Sequence, residues 1–332
     1  MVVASPTERI EPIELPVVDL AAERSTVMKR VVKASEEYGF FNVINHGVPQ
    51  DTIAKMEEAG LDFFAKPLAQ KKLDFGPGNP FGAYGCKNIG FNGDIGEVEY
   101  LLFNASDNDQ FKNIVPSNFR SIVRAYRDGV REVACEILEM MAEGMGVHDK
   151  WVFSRLIRDC DSDSVLRLNH YPPIMLNRDQ CCCYKDDNDH TQQQQQQQQE
   201  VAFGEHTDPQ ILTILRSNDV GGLQISLEDG LWNPVTPDPS AFSVNVGDLL
   251  QVMTNGRFVS VRHRAVTKWN SNRCRMSVAY FGAPPLDASI VAPPVMVTPQ
   301  RPSLFKPFTW AEYKKVTYSL RLGERRIDLF TN

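Results

Sequence analysis

Residues 204–216 form the most informative stretch of the sequence, which reads Gly-Glu-His-Thr-Asp-Pro-Gln-Ile-Leu-Thr-Ile-Leu-Arg. Its second half, 211–216, is a short apolar, β-branched run typical of a buried strand. Its first half holds His206 and Asp208, two positions apart. In extended chain, residues i and i+2 share one face and lie about 6 to 7 Å apart, so both side chains can reach one cation. The stretch therefore predicts a strand beside a pair of polar, metal-binding side chains.

The chain from Ser164 onward continues this pattern of short, β-rich segments. Gly, Pro, Asn and Asp separate most of them, which is typical of an antiparallel sandwich or barrel. The predicted strands cover 165–171, 211–216, 223–227, 231–235, 241–246, 249–253, 258–263 and 274–281.

The first half of the chain has a different pattern, in which helical periodicity dominates. Helices are predicted over 22–38, which Gly39 can end in a left-handed conformation, over 50–65, and over 116–145, whose apolar stripe indicates core packing. A buried strand is predicted over 40–45, and the glycine-rich stretch 74–96 is predicted to be a loop. We expect three regions: 1–115, helical support over 116–160, and a β core over 161–332.

A polar insertion interrupts the predicted β core over 177–200. It contains Asp186, Asp187 and Asp189 and eight consecutive glutamines, Gln192 to Gln199. Such a tract has almost no apolar area to offset chain entropy, so we expect a disordered surface loop without chemistry.

Composition and charge exclude several classes of protein. The chain has 332 residues, of which 42% are apolar and 23% charged, which is typical of a globular protein. The net charge is −7 and basic residues form no stripe, so a nucleic-acid partner is not expected. No apolar run approaches the ~20 residues of a membrane span, and no signal-peptide core opens the chain. We therefore expect a cytoplasmic protein without a membrane partner, and self-association stays open.

Cysteine usage indicates reduced thiols. The sequence has seven cysteines, an odd number, and Cys181, Cys182 and Cys183 are consecutive, which disfavours mutual disulfides. The alternative is a zinc site formed by this triplet and His190. The paired two-residue spacing of structural zinc ligands is missing, which favours free thiols.

A metal site at His206 and Asp208 requires a third ligand. His263 lies at the end of the predicted strand 258–263 and is the best donor in the sequence. Two histidines and one carboxylate on one face of an octahedron leave three positions open, the arrangement of non-haem Fe(II) oxygenases. A His-x-Asp pair alone is more often a surface hydrogen bond, so the prediction depends on further residues nearby.

The strand predicted over 274–281 supplies that support. Arg275 and Ser277 share one face and offer a guanidinium fork and a hydroxyl to one anionic group, such as the far end of a dicarboxylate. Tyr171, near the end of strand 165–171, is a third polar donor. Arg273 is a rival for Arg275, but the residue two positions beyond it is an arginine and not a serine.

Several segments together resemble the plant 2-oxoglutarate and Fe(II) dependent dioxygenases. Residues 38–47 resemble the amino-terminal signature of that family, 168–173 its first core strand and 204–212 its metal strand. The similarity covers nearly the whole chain. Within the family, residues 88–102 resemble the gibberellin 2-oxidases, in the branch that acts on nineteen-carbon gibberellins.

The resemblance implies a mainly β fold with flanking helices around a double-stranded β-helix, or jelly roll. It implies that His206, Asp208 and His263 hold Fe(II), and that Arg275, Ser277 and Tyr171 bind the cosubstrate 2-oxoglutarate, with Arg275 also counted as catalytic. The implied reaction uses O2 to oxidise 2-oxoglutarate to succinate and CO2 while hydroxylating carbon 2 of a gibberellin, which inactivates the hormone. Ascorbate is expected to support activity.

Substrate contacts are the least defined part of the prediction. Lys87, Phe91, Tyr100 and Phe103 are candidates for lining a pocket for a rigid hydrocarbon with a carboxylate. Three other functions stay open: another plant hydroxylase such as a gibberellin 20- or 3-oxidase, a zinc hydrolase with the same ligands, and a non-enzymatic jelly-roll binding protein. A zinc hydrolase needs a general base, and Glu205 is predicted to face away from His206 and Asp208.

Overall fold

The computed structural model describes residues 12–76, 82–89, 94–104, 117–172, 199–227, 230–268 and 273–332. The helices are α1 (Arg24–Glu37), α2 (Gln50–Phe64), α3 (Leu68–Phe75), α4 (Ser117–Gly144), α5 (Ser154–Arg158), α6 (Asp248–Met253) and α7 (Trp310–Ser319). The strands are β1 (Val17–Asp19), β2 (Phe40–Ile44), β3 (Gly82–Asn88), β4 (Ile95–Asn104), β5 (Val165–Tyr171), β6 (Gln199–His206), β7 (Leu212–Ser217), β8 (Leu223–Ser226), β9 (Trp232–Pro234), β10 (Phe242–Val246), β11 (Arg262–Lys268), β12 (Arg275–Gly282), β13 (Ser289–Ile290) and β14 (Phe308–Thr309).

Two sheets form the β core. The major sheet has the order β1-β2-β10-β7-β12-β5-β4-β3, and the minor sheet has the order β6-β11-β8-β9. Along the chain, β5, β7, β10 and β12 enter the major sheet, while β6, β8, β9 and β11 enter the minor sheet. These eight strands, divided between two antiparallel sheets, form a jelly roll. The predicted fold class, mainly β with flanking helices around a double-stranded β-helix, is confirmed.

The helices cover one face of the major sheet. One hydrophobic core joins α1, α2 and α4 to the side chains that point to this face from β5, β7, β10 and β12. The stripe predicted on α4 is part of this core, since Val130, Ile137 and Met141 are fully buried. Because side chains alternate along a strand, the opposite face of the same four strands is left to face the minor sheet.

Gly39 fixes the turn between α1 and β2. Its φ of 59° is the left-handed value that the sequence predicts after a helix end. A Cβ at this position would lie 2.0 Å from the carbonyl oxygen of Val259. Both the backbone angle and the close approach therefore require glycine here.

A buried ionic cluster ties α3 to β3, β4 and β5. The Lys71 ammonium donates to a carboxylate oxygen of Glu99 at 2.7 Å, and the Tyr84 hydroxyl donates to the same oxygen at 2.7 Å. The other Glu99 oxygen lies 2.8 Å from Nδ1 of His170. The His170 ring stacks on Phe64. This cluster lies on the helix-covered side of β5.

Stability is expected to fall as pH rises through the titration of His170. Burial alone lowers the pKa of His170, but its hydrogen bonds to Cys274 and Glu99 outweigh burial and raise the pKa to about 9 from 6.5. Between these pH values the folded state keeps a proton that the unfolded state releases. This difference contributes roughly 2 to 3 kcal/mol to the free energy of unfolding at pH 6.5, and the contribution is lost as the pH rises to 9. Urea unfolding at pH 6.5 and at pH 9 measures the difference in the free energy of unfolding. If His170→Gln has the same pH slope as the unmodified chain, the assignment is wrong.

Three sequence predictions of local structure are wrong. Residues 249–253, predicted as a strand, belong to helix α6, and the predicted loop 74–96 contains all of β3 and the start of β4. The strand predicted over 258–263 begins only at Arg262, so His263 lies at the start of β11 and not at its end.

Other predictions fall partly or wholly outside the described residues. β6 begins at Gln199, so the end of the predicted polar insertion is in a strand, while Cys181, Cys182, Cys183 and His190 lie outside the described residues. Cys135, Cys160 and Cys274 are free thiols, as predicted. Cys86 is disulfide-bonded, which corrects the expectation of reduced cysteines throughout. Within the described residues, no helix is both long and apolar enough to span a membrane.

Candidate metal centre and cosubstrate site

A cavity lies between the two sheets of the jelly roll. Its walls come from the face of β5, β7, β10 and β12 that the helices leave free, and from the facing side of β6, β8 and β11. All six side chains predicted to hold a metal or a cosubstrate line it: Tyr171, His206, Asp208, His263, Arg275 and Ser277.

Strand pairing brings the three predicted metal ligands together. His206 ends β6 and His263 lies near the start of β11, and the two residues are direct partners across these antiparallel strands. Asp208 follows two residues after His206, in the connection to β7. One oxygen of Asp208 lies 3.6 Å from Nε2 of His206 and 3.6 Å from Nε2 of His263.

Hydrogen bonds orient each of these three side chains toward their common centre. Nδ1 of His206 donates to its own strand at the Gly204 carbonyl, at 2.8 Å, and Nδ1 of His263 donates to the Val261 carbonyl at 3.1 Å. Since a carbonyl can only accept, the proton of each ring is on Nδ1 and the Nε2 lone pair is free.

The aspartate is held in a similar way by its second oxygen. The Thr213 hydroxyl and the Asn245 amide donate to Oδ2 of Asp208 at 2.6 and 2.7 Å. Only Oδ1 then points to the two imidazoles. Two nitrogen donors and one carboxylate oxygen therefore converge on one point, each with its other polar atom already bonded.

Protonation states at this site match those of metal ligands. Burial raises the pKa of the Asp208 carboxyl, but the adjacent His263 and His206 and the bonds from Thr213 and Asn245 outweigh it and leave that pKa below its usual range. Burial, followed by the charge of His263, lowers the pKa of His206 to about 3. At neutral pH the site thus presents a carboxylate and a neutral His206 imidazole, the forms that coordinate metal.

This donor set fits Fe(II). Two imidazoles and one carboxylate on a single face, with the rest of the site open to a cavity, are the ligands of non-haem Fe(II) oxygenases. Ligand atoms at ~2.1 Å from one ion and at right angles to each other lie about 3 Å apart. The 3.6 Å separations are within a small side-chain adjustment of that spacing.

Arg275 and Ser277 share the cavity face of β12, as predicted. The Arg275 guanidinium is buried, lies 5.1 Å from the centre of the Tyr171 ring, and bonds the Ser277 hydroxyl at 3.3 Å. Its Nε is buried without a hydrogen-bond partner, and within the described residues no carboxylate pairs with it. A buried cation without an anion is the arrangement expected of a binding site for an anionic ligand.

The rival Arg273 lies in a different environment. Its side chain is 60% exposed and forms an ion pair with Asp219 at 2.5 Å, on the surface. Glu205, the only candidate base for a zinc hydrolase weighed above, is paired with Arg262 and does not line the cavity. The placement of Glu205 agrees with the side-chain alternation that the sequence indicated, whereas Arg273 lies before β12, which begins at Arg275.

The four residues predicted to line a substrate pocket lie in different parts of the structure, and one of them lies outside the described residues. Tyr100 pairs with Asn169 across β4 and β5 and lies on the cavity side of the sheet. Phe103 pairs with Leu166 on the helix-covered side and is buried in the core, so that prediction is wrong because of strand alternation. Lys87 lies on β3 at an irregularity in its pairing with β4. Phe91 lies outside the described residues.

Sequence reasoning missed three side chains at this site. Thr213 and Asn245 hold Asp208, and only the pairing of β7 with β10 shows that they meet. Arg167 was not identified, although it lies two positions before Asn169 and four before Tyr171 on β5. The period-two alternation of a strand places all three on the same face and was a usable signal.

Comparisons with known proteins agree with this geometry. Two family models match the chain: the 2OG-Fe(II) oxygenase superfamily over residues 162–284, and the non-haem dioxygenase in morphine synthesis N-terminal family over residues 15–118. Gibberellin 2-beta-dioxygenase 4 of Arabidopsis thaliana is 53% identical, covering 96% of this chain and 94% of its own length. Gibberellin 2-beta-dioxygenase 1 of Pisum sativum is 45% identical, covering 94% of this chain and 89% of its own length.

Solved structures share the fold over almost the entire chain. JOX2 in complex with 2OG, Fe and JA superposes with a TM-score of 0.78 at 24% identity, covering 99% of this chain and 92% of its own. The rice dioxygenase for auxin oxidation superposes with a TM-score of 0.73 at 25% identity, covering 96% of this chain and 100% of its own.

Proposed function

Since this chain belongs to the gibberellin 2-beta-dioxygenase family within the 2OG-Fe(II) oxygenase superfamily, we propose that it hydroxylates carbon 2 of gibberellins and thereby inactivates them. The observation that carries this proposal is the convergence of His206, Asp208 and His263 on one point of a cavity that also contains the unpaired Arg275. The overall reaction converts the gibberellin, 2-oxoglutarate and O2 into the hydroxylated product, succinate and CO2.

Separate sets of residues bind the metal and the cosubstrate. His206 and His263 hold Fe(II) through Nε2 and Asp208 through Oδ1, and the bonds from Thr213 and Asn245 keep Asp208 in position. The ferrous ion with O2 and 2-oxoglutarate supplies the oxidising power to break an aliphatic C–H bond, which no side chain has. Arg275, Ser277 and Tyr171 bind the distal carboxylate of 2-oxoglutarate, and the enclosing sheets exclude water.

The cavity suits a hydrocarbon skeleton with few polar groups. Apolar side chains from both sheets contribute to its walls, among them Phe40, Phe203, Leu215 and Phe281. A gibberellin, which is a rigid ring system with a carboxylate, needs this combination of apolar walls and a polar anchor.

Arg275→Gln is expected to raise the KM for 2-oxoglutarate about 10- to 100-fold, because it removes a charged hydrogen-bond donor from a buried site. Succinate formation as a function of 2-oxoglutarate concentration measures the change. The matched control is Arg273→Gln, which removes an exposed arginine two positions away and should change KM less than about twofold. Equal effects of the two substitutions, or an effect of Arg273→Gln alone, would transfer the role to Arg273.

The direct assay incubates the purified chain with Fe(II), ascorbate, 2-oxoglutarate, O2 and a panel of gibberellins. We expect succinate and a 2-hydroxylated nineteen-carbon gibberellin in equal amounts, and no product when Fe(II) or 2-oxoglutarate is omitted. Hydroxylation at another ring position would instead place the chain with the gibberellin-activating oxidases. Product formed with Zn²⁺ and without 2-oxoglutarate would contradict the oxygenase function.

Other parts of the sequence prediction are kept as proposals. We propose a cytoplasmic protein with no nucleic-acid or membrane partner. We also keep the division into 1–115, 116–160 and 161–332, with the metal and cosubstrate residues all in the third region.

A further inference from the structure

A second arginine, the half-buried Arg167, faces the same cavity. It lies on β5, on the face that also carries Asn169 and Tyr171. Its Nε donates to the side-chain oxygen of Asn169 at 2.8 Å. The guanidinium is sandwiched between two aromatic rings, with its carbon 3.9 Å from the centre of Tyr100 and 5.2 Å from that of Phe203. These three contacts hold the side chain against the cavity wall.

No anion balances this charge within the described residues. Arg167 forms no ion pair there, and its Nη2 is buried without a hydrogen-bond partner. Two more deeply buried arginines do have such partners: Arg216 pairs with Glu57, and Arg127 pairs with Asp128. Burial of the guanidinium also lowers the pKa of Arg167. A buried Nη2 without a hydrogen-bond partner is costly to keep, and an anionic ligand would remove that cost.

The proposed cosubstrate does not account for Arg167. Strand register places Arg275 opposite Tyr171 and Ala279 opposite Arg167, so the two arginines are four residues apart along the sheet, about 13 Å. The cosubstrate 2-oxoglutarate is a short dicarboxylate, with one end assigned to Arg275 and the other to the metal. It has no third charge for Arg167.

We propose that Arg167 binds the carboxylate of the organic substrate, so that the enzyme selects free acids. This inference rests on the proposed function, since a gibberellin combines one hydrocarbon skeleton with a carboxylate. The guanidinium offers its Nη2 hydrogen atoms to that carboxylate, while Phe203 and Phe281 contact the apolar skeleton. Arg167 is then a specificity residue: it fixes which end of the substrate points away from the 2-oxoglutarate subsite.

The test compares a nineteen-carbon gibberellin with its methyl ester, which has the same skeleton and no charge. Binding of each is measured by anaerobic calorimetry to the full chain loaded with Mn²⁺ and 2-oxoglutarate, so that no turnover occurs. The unmodified chain should bind the acid about 10- to 100-fold more tightly than the ester. Arg167→Gln should weaken binding of the acid by a similar factor and leave the ester within about twofold. Arg167→Lys, which keeps the charge but not the planar fork, should restore part of the preference for the acid.

Three results would overturn the inference. Equal binding of acid and ester by the unmodified chain would show that no cationic side chain binds the substrate carboxylate. Equal losses for acid and ester in Arg167→Gln would show a structural role. Loss of 2-oxoglutarate affinity in Arg167→Gln, with the surface variant Arg273→Gln unchanged, would assign Arg167 to the cosubstrate. Failure of the proposed function is a separate result: the chain would bind the acid but form no 2-hydroxylated product in the aerobic assay.

Discussion

Replacing His206 or Asp208 by alanine is expected to abolish gibberellin hydroxylation. Each substitution removes one of three donors whose free atoms converge on a single point. Loss of residues that merely orient a metal ligand typically costs 10- to 100-fold in metal affinity or activity, so loss of a ligand itself should cost at least ~100-fold. Fe(II) affinity, measured by anaerobic titration, and product formation should fall together.

The matched control for this prediction is Glu205→Gln. Glu205 is adjacent to His206 in sequence, but its side chain pairs with Arg262 away from the cavity. Activity and Fe(II) affinity should stay within about twofold of the unmodified chain, as for ordinary surface substitutions. A large loss in this variant would support a hydrolase in which Glu205 is the general base. Full activity in His206→Ala would show that the three side chains are not a metal centre.

Lys71→Met is expected to destabilise the fold by about 3 to 5 kcal/mol. Lys71 and Glu99 are each only 1% exposed, and their ion pair is part of the cluster that also contains Tyr84 and His170. Removal of the ammonium leaves the buried Glu99 carboxylate with His170 as its remaining counter-charge among the described residues. Urea unfolding near neutral pH measures the loss in the free energy of unfolding.

An exposed pair provides the control. Lys55 and Asp51 form an ion pair at 2.7 Å with side chains 58% and 75% exposed, so Lys55→Met should change the free energy of unfolding by less than about 0.5 kcal/mol. The double variant Lys71→Met with Glu99→Gln should lose less than the sum of the two single changes, because neither charge is then left unpaired. Strict additivity would mean that the two groups do not stabilise each other.

The antiparallel β core and the proximity of His206 to Asp208 were predictable because both depend on local patterns. Strand 165–171 was predicted with its observed bounds, and His206 and Asp208 are two apart in one segment. The meeting of His206 with His263 was a weaker prediction, since cross-strand pairing over more than fifty residues depends on register. The strand predicted for His263 ended where the observed strand begins.

The errors have identifiable physical causes. The run 249–253 is apolar except for Gln251, and such short runs suit a strand or a buried helix equally well. The glycines of β3 and β4 were interpreted as loop residues, yet they allow close approach within a sheet. A Cβ on Gly85 would lie 2.2 Å from the Tyr100 ring, and one on Gly96 would lie 2.2 Å from the carbonyl oxygen of Ala202.

The central claim is that one centre couples oxidation of 2-oxoglutarate to hydroxylation of a gibberellin. The most direct measurement is a single incubation of the purified chain, Fe(II), 2-oxoglutarate and a nineteen-carbon gibberellin under isotopically labelled O2, with mass analysis of both products. The account predicts one labelled oxygen atom in succinate and one at carbon 2 of the gibberellin, in equal molar amounts. Unlabelled oxygen in the hydroxylated product, or product formed without succinate, would contradict it.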